Sequence, residues 1–180
     1  MATTLVLGGA RSGKSALAQR LAEAAAERAG GAPLMIATAE AFDDEMAARI
    51  ARHRAERGEG WRTIEAPVDL AAAVRALAPG QVAVVDCLTL WLSNLMHRGL
   101  DVEATTRALI AAMADAPVDI ILVTNEVGMG IVPESALARE FRDAAGRLNQ
   151  VVAECAEAVI VMFAGQALWV KGGAPTPHVA

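Results

Sequence analysis

Residues 3–15 read Thr-Thr-Leu-Val-Leu-Gly-Gly-Ala-Arg-Ser-Gly-Lys-Ser, and this stretch decides the fold. Thr3 to Leu7 is a short apolar run closed by Gly8-Gly9, the pattern of a buried strand. Gly8-Gly9-Ala10-Arg11-Ser12-Gly13-Lys14-Ser15 then matches G-x-x-x-x-G-K-S at every fixed position. Ser15 to Arg28 follows, rich in the helix formers Ala, Leu, Glu and Gln. Strand, glycine-rich loop and helix is the context this motif requires. The glycines let backbone N–H groups turn toward a phosphate, and the helix start adds positive potential there. Lys14 can reach the β- and γ-phosphates, and the Ser15 hydroxyl can hold Mg²⁺. A Gly-rich turn followed by Lys-Ser by chance would need neither flank.

The pattern continues outward from that unit. Leu17 and Leu21 start an apolar face on the first helix, and Gly30-Gly31 stops it. Leu34 to Thr38 reads as a second strand. Asp43 and Asp44 open a helical stretch to about Arg57, with acids in the first turn and arginines later. Trp61 to Ile64 suggests a short extended piece, and Val68 to Leu77 a short helix ended by Pro79-Gly80. Val82 to Val85 is a buried strand ending in Asp86. Leu88 to Leu100 is helical with Leu88, Trp91, Leu92 and Leu95 inward. Asp101 caps a helix running to about Ala114. Val118 to Thr124 is another buried strand. Glu134 to about Ala156 is helical, with an expected break at Gly146. Val159 to Phe163 and Ala167 to Val170 form a hairpin around Gly165-Gln166. Strands separated by helices predict a mostly parallel sheet covered on both faces. Residues 1–171 are expected to make one domain, with 172–180 a fraying tail.

Composition agrees with one folded unit. The chain has 180 residues, of which 54% are apolar and 21% charged, so wholesale disorder is excluded. A net charge of −5 speaks against a general polyanion-coating surface and leaves room for a local basic pocket. No nucleic-acid partner is expected. Two cysteines, Cys87 and Cys155, make neither a disulfide scaffold nor a CxxC metal pattern. The opening MATTLVLGG lacks a basic region, apolar run and cleavage site in sequence. Glu154 and Glu157 interrupt the most apolar late segment. No membrane span and a cytoplasmic location are therefore expected.

Outside the phosphate loop several residues admit more than one reading. Asp86, at a strand end, could take part in holding a metal beside the phosphates or simply cap the next helix. Met46, Ile50, His53 and Arg57 share one helical face, and Arg49, Arg52, Arg54 and Arg57 surround His53 with positive charge. That setting favours a neutral imidazole and attracts phosphates. His53 could attack phosphorus, bind a phosphate or be structural. His97 lies at a helix end and His178 in the tail. Asn125 and Glu126 follow a strand and could face substrate, since ligands sit outside the carboxyl ends of strands in open α/β sheets. The 125–133 loop could also be only a rigid connection. Arg139, Arg142, Asp143, Arg147, Asn149 and Gln150 give the last helix a polar face, toward solvent or another subunit.

Taken together, these pieces resemble the bifunctional adenosylcobinamide kinase / adenosylcobinamide-phosphate guanylyltransferases of cobalamin biosynthesis. The matching segments are GGARSGKS at 8–15, DDEMAARIARHRAERGEGWRTIE at 43–65, DCLTLWLSNL at 86–95, NEVGMGIVP at 125–133 and FRDAAGRLNQ at 141–150. They span nearly the whole chain in family order. The resemblance implies an α/β P-loop NTPase fold with a RecA-like, mostly parallel sheet, assembled as a homotrimer. It implies phosphorylation of adenosylcobinamide from ATP or GTP. It also implies transfer of GMP from GTP to adenosylcobinamide-phosphate, giving adenosylcobinamide-GDP and pyrophosphate. The family's guanylylated histidine maps onto His53 through its H-R-x-x-R context. The phosphate-loop lysine and serine map onto Lys14 and Ser15, and the strand-end acid onto Asp86, where some members carry Glu. Some members also have a histidine where this chain has Arg52, so any helper role of that residue is absent here.

In that scheme Gly8 to Ser15, Arg54 and Asp86 contact nucleotide, Ser15 and Asp86 hold Mg²⁺, and Lys14 and His53 carry the chemistry. Arg49, Arg52, Arg57, Trp61, Asn125 and Glu126 are candidate substrate contacts. Trp61 could stack on the corrinoid or nucleobase or pack the helix end. No kinase base stands out. A single-activity small-molecule kinase with a structural His53, and a nonenzymatic nucleotide-binding module, are the competing functions.

Overall fold

The computed structural model describes residues 1–41, 44–55, 58 and 60–173; within these, the side chains of Met46, Arg49 and His53 are outside the description. Residues 174–180, with His178, also lie outside the described residues.

Seven strands form one sheet: β1 (Thr3–Gly8), β2 (Ala32–Ala37), β3 (Arg62–Glu65), β4 (Gln81–Asp86), β5 (Asp119–Asn125), β6 (Ala158–Phe163) and β7 (Gln166–Lys171). Their spatial order is β3-β2-β4-β5-β1-β6-β7. Every pairing from β3 to β6 is parallel, and β7 alone runs antiparallel, beside β6. The helices are α1 (Lys14–Ala29), α2 (Asp44–Ala55), α3 (Leu70–Arg75), α4 (Leu88–His97), α5 (Val102–Ala114) and α6 (Ala136–Cys155).

Two apolar clusters cover the two faces, as the near-continuous apolar strands demand. One is built from α3, α4, α5 and α6 around Trp91, Leu92, Leu95, Leu109 and Leu122. The other joins α1 to Val6, Met35, Val84, Val123 and Ile160. Trp91 is fully buried, and its indole N–H donates to the Val68 carbonyl at 2.7 Å. Leu88, Leu92 and Leu95 are likewise fully buried, as their spacing predicts.

Local chemistry accounts for the differences from the sequence reading. On α1 the fully buried residues are Ala18 and Ala22, with Ala26 nearly so, while Leu17 and Leu21 pack at the edge. Small side chains let the helix approach the sheet closely, so alanines rather than leucines form its contact stripe. The short helix starts at Leu70, not Val68, because the Asp69 carboxylate accepts the Ala72 N–H. Helix α4 ends at His97 instead of Leu100, where the Gly99 backbone turns left-handed with φ 63°. Asp101 caps α5 through the Ala104 N–H at 2.9 Å. Ser135 caps α6, which runs through Gly146 unbroken. A Cβ at Gly146 would meet nothing within 4 Å, so that glycine marks no special geometry. The last turn lies at Ala164-Gly165, one residue earlier than Gly165-Gln166. Among the described residues no helix is long and apolar enough to cross a membrane.

Replacing Trp91 by Ala removes a fully buried indole and its hydrogen bond to the Val68 carbonyl, which keeps only the Leu70 N–H. The expected loss is about 3–5 kcal/mol of unfolding free energy, measured by denaturant titration followed by circular dichroism.

Candidate active site

The parallel strands end on one edge of the sheet. Gly8 of β1 lies in register with Asn125 of β5 and Met162 of β6, and Asp86 of β4 with Val123 of β5. Gly8, Asn125 and Asp86 therefore arrive together at the carboxyl edge, where the phosphate loop begins.

Gly8 has φ 156°, and a Cβ there would lie 2.5 Å from the Met162 carbonyl oxygen and 2.9 Å from Ser12 Oγ. Only glycine lets the loop leave the strand this close to β6. Gly13, at φ 97°, turns the chain into α1, and Arg11 is left-handed at φ 54° and exposed. The Gly165 N–H donates to the Ser12 carbonyl at 3.1 Å, which ties the loop to the β6–β7 turn. Ser12 Oγ is buried without a hydrogen-bond partner among the described residues. Gly9 and Ala10 are exposed at the loop's crest.

Lys14 is only 7% exposed, and its ammonium donates to the Gly9 carbonyl. Burial pushes its pKa below the usual lysine value, while Cys87 and Asp86 act the other way. A buried cation with one carbonyl partner and a carboxylate nearby is a site that an anion completes. Asp86 is half-buried, Ser15 likewise. A hydroxyl and a single carboxylate are hard oxygen donors of the kind Mg²⁺ takes alongside phosphates and water. Asp86 does not cap α4: the cap position is Cys87, and no side chain bonds there. Among the described residues no cluster of three or more His, Cys, Asp or Glu could hold a metal by itself.

Two buried polar arrangements, unanticipated from sequence, fix this edge. The Thr38 hydroxyl donates to the Cys87 carbonyl at 2.7 Å and accepts the Cys87 N–H at 2.8 Å. Those two bonds join the ends of β2 and β4, and Asn94 of α4 donates to the Thr38 and Pro67 carbonyls, which joins the ends of β2 and β3. The second arrangement is a closed ring. The Asn125 N–H donates to Thr89 Oγ1, Thr89 to Thr124 Oγ1, Thr124 to Asn149 Oδ1, and Asn149 Nδ2 to the Asn125 carbonyl. Asn149 is thus buried and faces neither solvent nor another subunit. Asn94, a lone amide in an apolar helix, and Thr124, ending an apolar strand, were the available signals.

A cavity of about 390 Å³ opens beside the loop, lined by Gly8 to Ser12, Glu126, Met129, Val161 to Phe163 and Ala164. The Glu126 N–H donates to the Gly8 carbonyl at 3.1 Å. Asn125 and Glu126 therefore do reach the phosphate loop. Trp61 does not. It packs with the α1-side cluster, and its indole N–H donates to Glu23 at 3.0 Å. On α2, Arg52 is exposed and Arg54 pairs with Glu65 at 2.7 Å. The side chains of Arg49 and His53, and the whole of Arg57, lie outside the described residues. A larger cavity, about 660 Å³, lies between α5 and α6, away from the loop.

A glycine-cornered loop, a buried lysine and a strand-end aspartate on one sheet edge define a P-loop nucleotide-binding protein. Solved structures agree at the level of fold. They include the flagellar accessory protein FlaH of Methanocaldococcus jannaschii, with a TM-score of 0.53 and 14% identity over 96% of this chain and 79% of that one. A KaiC-like protein from Pyrococcus horikoshii gives a TM-score of 0.50 and 17% identity over 89% and 70%.

Within that class the chain belongs to the cobinamide kinase / cobinamide phosphate guanyltransferase family, whose model matches residues 4–170. It is 49% identical to the bifunctional adenosylcobalamin biosynthesis protein CobP of Pseudomonas aeruginosa, over 93% of this chain and 96% of that one. The corresponding figure is 42% for CobU of Escherichia coli, over 93% and 98%. The chain is thus an enzyme of this family.

Cys87 sits against the site, and burial first, then Asp86, pushes its thiol up to about 11. At pH 8 about one molecule in a thousand carries the thiolate that alkylates. Iodoacetamide is expected to modify exposed Cys155 and spare Cys87 in the native protein, and to modify both in denaturant, read by peptide mass mapping.

Proposed function

We propose that this protein phosphorylates adenosylcobinamide with ATP or GTP and then transfers GMP from GTP to adenosylcobinamide-phosphate. The products of the second step are adenosylcobinamide-GDP and pyrophosphate. Family membership supports both activities. The observation that carries the phosphoryl-transfer half is the buried Lys14 ammonium beside Asp86 under a loop whose Ser12 hydroxyl lacks a partner.

In this reading the backbone N–H groups of Gly8 to Ser15 cradle the donor phosphates, and Lys14 stabilises charge on the transferred group. Ser15 and Asp86 hold Mg²⁺, which supplies further neutralisation of phosphate charge when bound. His53 attacks the α-phosphorus of GTP, and pyrophosphate leaves. The acceptor phosphate then displaces GMP from His53. Covalent catalysis splits one difficult transfer into two easier ones. Arg49, Arg52, Arg54 and Arg57 supply positive charge around the triphosphate. For Arg54 this means exchanging its exposed Glu65 partner for phosphate.

The enzyme works as a single domain over residues 1–171, in the cytoplasm, without nucleic acid and as a homotrimer. Exposed Leu100, Leu137 and Val151 around the α5–α6 groove support self-association.

Lys14→Ala should lower phosphoryl transfer about 10²–10³-fold, the usual loss on removing one electrostatic donor to a transition state. His53→Ala should spare most of that activity. It should abolish the acid-labile GMP adduct seen by intact mass after incubation with GTP and Mg²⁺. A GMP adduct on another residue refutes the histidine mechanism. Light scattering should report three times the 18.7 kDa chain mass. A fully active species at the monomer mass refutes the trimer.

A further inference from the structure

The phosphate-loop cavity holds a carboxylate to which the mechanism above gives no work. Glu126 is the first residue beyond β5, and its N–H donates to the Gly8 carbonyl, the first residue of the loop. Its position is therefore set by β1 on one side and by the Thr89–Thr124–Asn149 ring at Asn125 on the other. The side chain is held as well: Oε1 accepts the Gly128 N–H at 2.5 Å. Among the described residues Glu126 makes no ion pair. Around it the cavity is walled by Met129, Val161, Met162 and Phe163, and Arg11 of the loop is the one cation among the described residues on its lining. Asp86, the acid that ends β4, acts instead on Lys14. The two carboxylates are thus divided: one beside the buried ammonium, the other in the mostly apolar cavity against the loop's crest.

Resting on the two-reaction reading, we propose that Glu126 is the general base of the phosphoryl-transfer step and takes the proton of the acceptor hydroxyl. The two acceptors differ in what they require. A hydroxyl oxygen must lose its proton as it bonds to phosphorus. A phosphate monoester attacks with an oxygen that carries no proton. Glu126 therefore serves the first reaction and is dispensable in the second. As the acceptor O–H bond breaks, its proton goes to the carboxylate oxygen that does not bond Gly128. The new O–P bond forms at the γ-phosphorus. The bridging O–P bond breaks, and its electron pair leaves on the nucleoside diphosphate. Glu126 later returns the proton to water.

The test uses the full-length protein carrying Glu126→Gln. Phosphorylation of adenosylcobinamide should fall about 10²–10⁴-fold in kcat, with the KM for nucleotide within threefold of native. GMP labelling by GTP, and GMP transfer to acceptor that is already phosphorylated, should stay within threefold. The native kcat/KM should fall tenfold per unit of pH below the base's ionisation, and Glu126→Gln should lack that limb. Glu126→Asp, which keeps a carboxylate, should retain the limb at reduced kcat. A kinase loss smaller than 100-fold, an acid limb persisting in Glu126→Gln, or equal loss of both reactions would each overturn the assignment. Absence of phosphoryl transfer in the native protein would instead overturn the two-reaction reading, and the base with it.

Discussion

A lysine ammonium taken out of water is the constraint on which the site depends. Lys14 sits at the first position of α1, and burial weakens its hold on its proton. Among the described residues one carbonyl of its own loop, that of Gly9, accepts from it. A neutral side chain would be easier to bury there, and an anion is what makes the charged form favourable. The loop geometry serves that end. Gly8 permits the close passage over β6, Gly13 makes the turn into the helix, and the alanine stripe of α1 brings the helix start down onto the sheet.

Around this charge the strand ends are locked by polar side chains rather than left to the apolar layers. Thr38, itself held by Asn94, bonds the residue that follows Asp86, and the four-membered ring of hydrogen bonds holds the residue before Glu126. Each member of the ring is satisfied by the next, which is the condition for a buried polar network to add definition instead of cost. The acids on β4 and after β5 are consequently presented by fixed backbone, with the apolar clusters on either face supplying the bulk of stability.

Much of this was legible from residue order. The phosphate loop carries its own context, and the apolar runs ending in Asp86 and Asn125 announce parallel strands. The same runs do not say how strands are ordered in space, because β1 is inserted between β5 and β6 by pairings over more than a hundred residues. On α1 the leucines have the larger apolar surface, but close approach to the sheet puts the alanines inward. Asn149 was grouped with the polar residues of its helix. Its burial follows from Thr124 and Asn125, which lie on a strand distant in sequence. Trp61 packs beside α1, where Glu23 accepts from its indole N–H, a contact between residues 38 positions apart that residue order does not announce.

The bond from the Gly165 amide to the Ser12 carbonyl joins the phosphate loop to a turn more than a hundred residues further along the chain. Strand β1 likewise needs both β5 and β6 as neighbours. The cradle around Lys14 is therefore complete only once β6 and the β6–β7 turn are in place. The β2–β4 half is paired without these late strands. Ligand binding enters as a late reward, bestowed only on chains that have already closed.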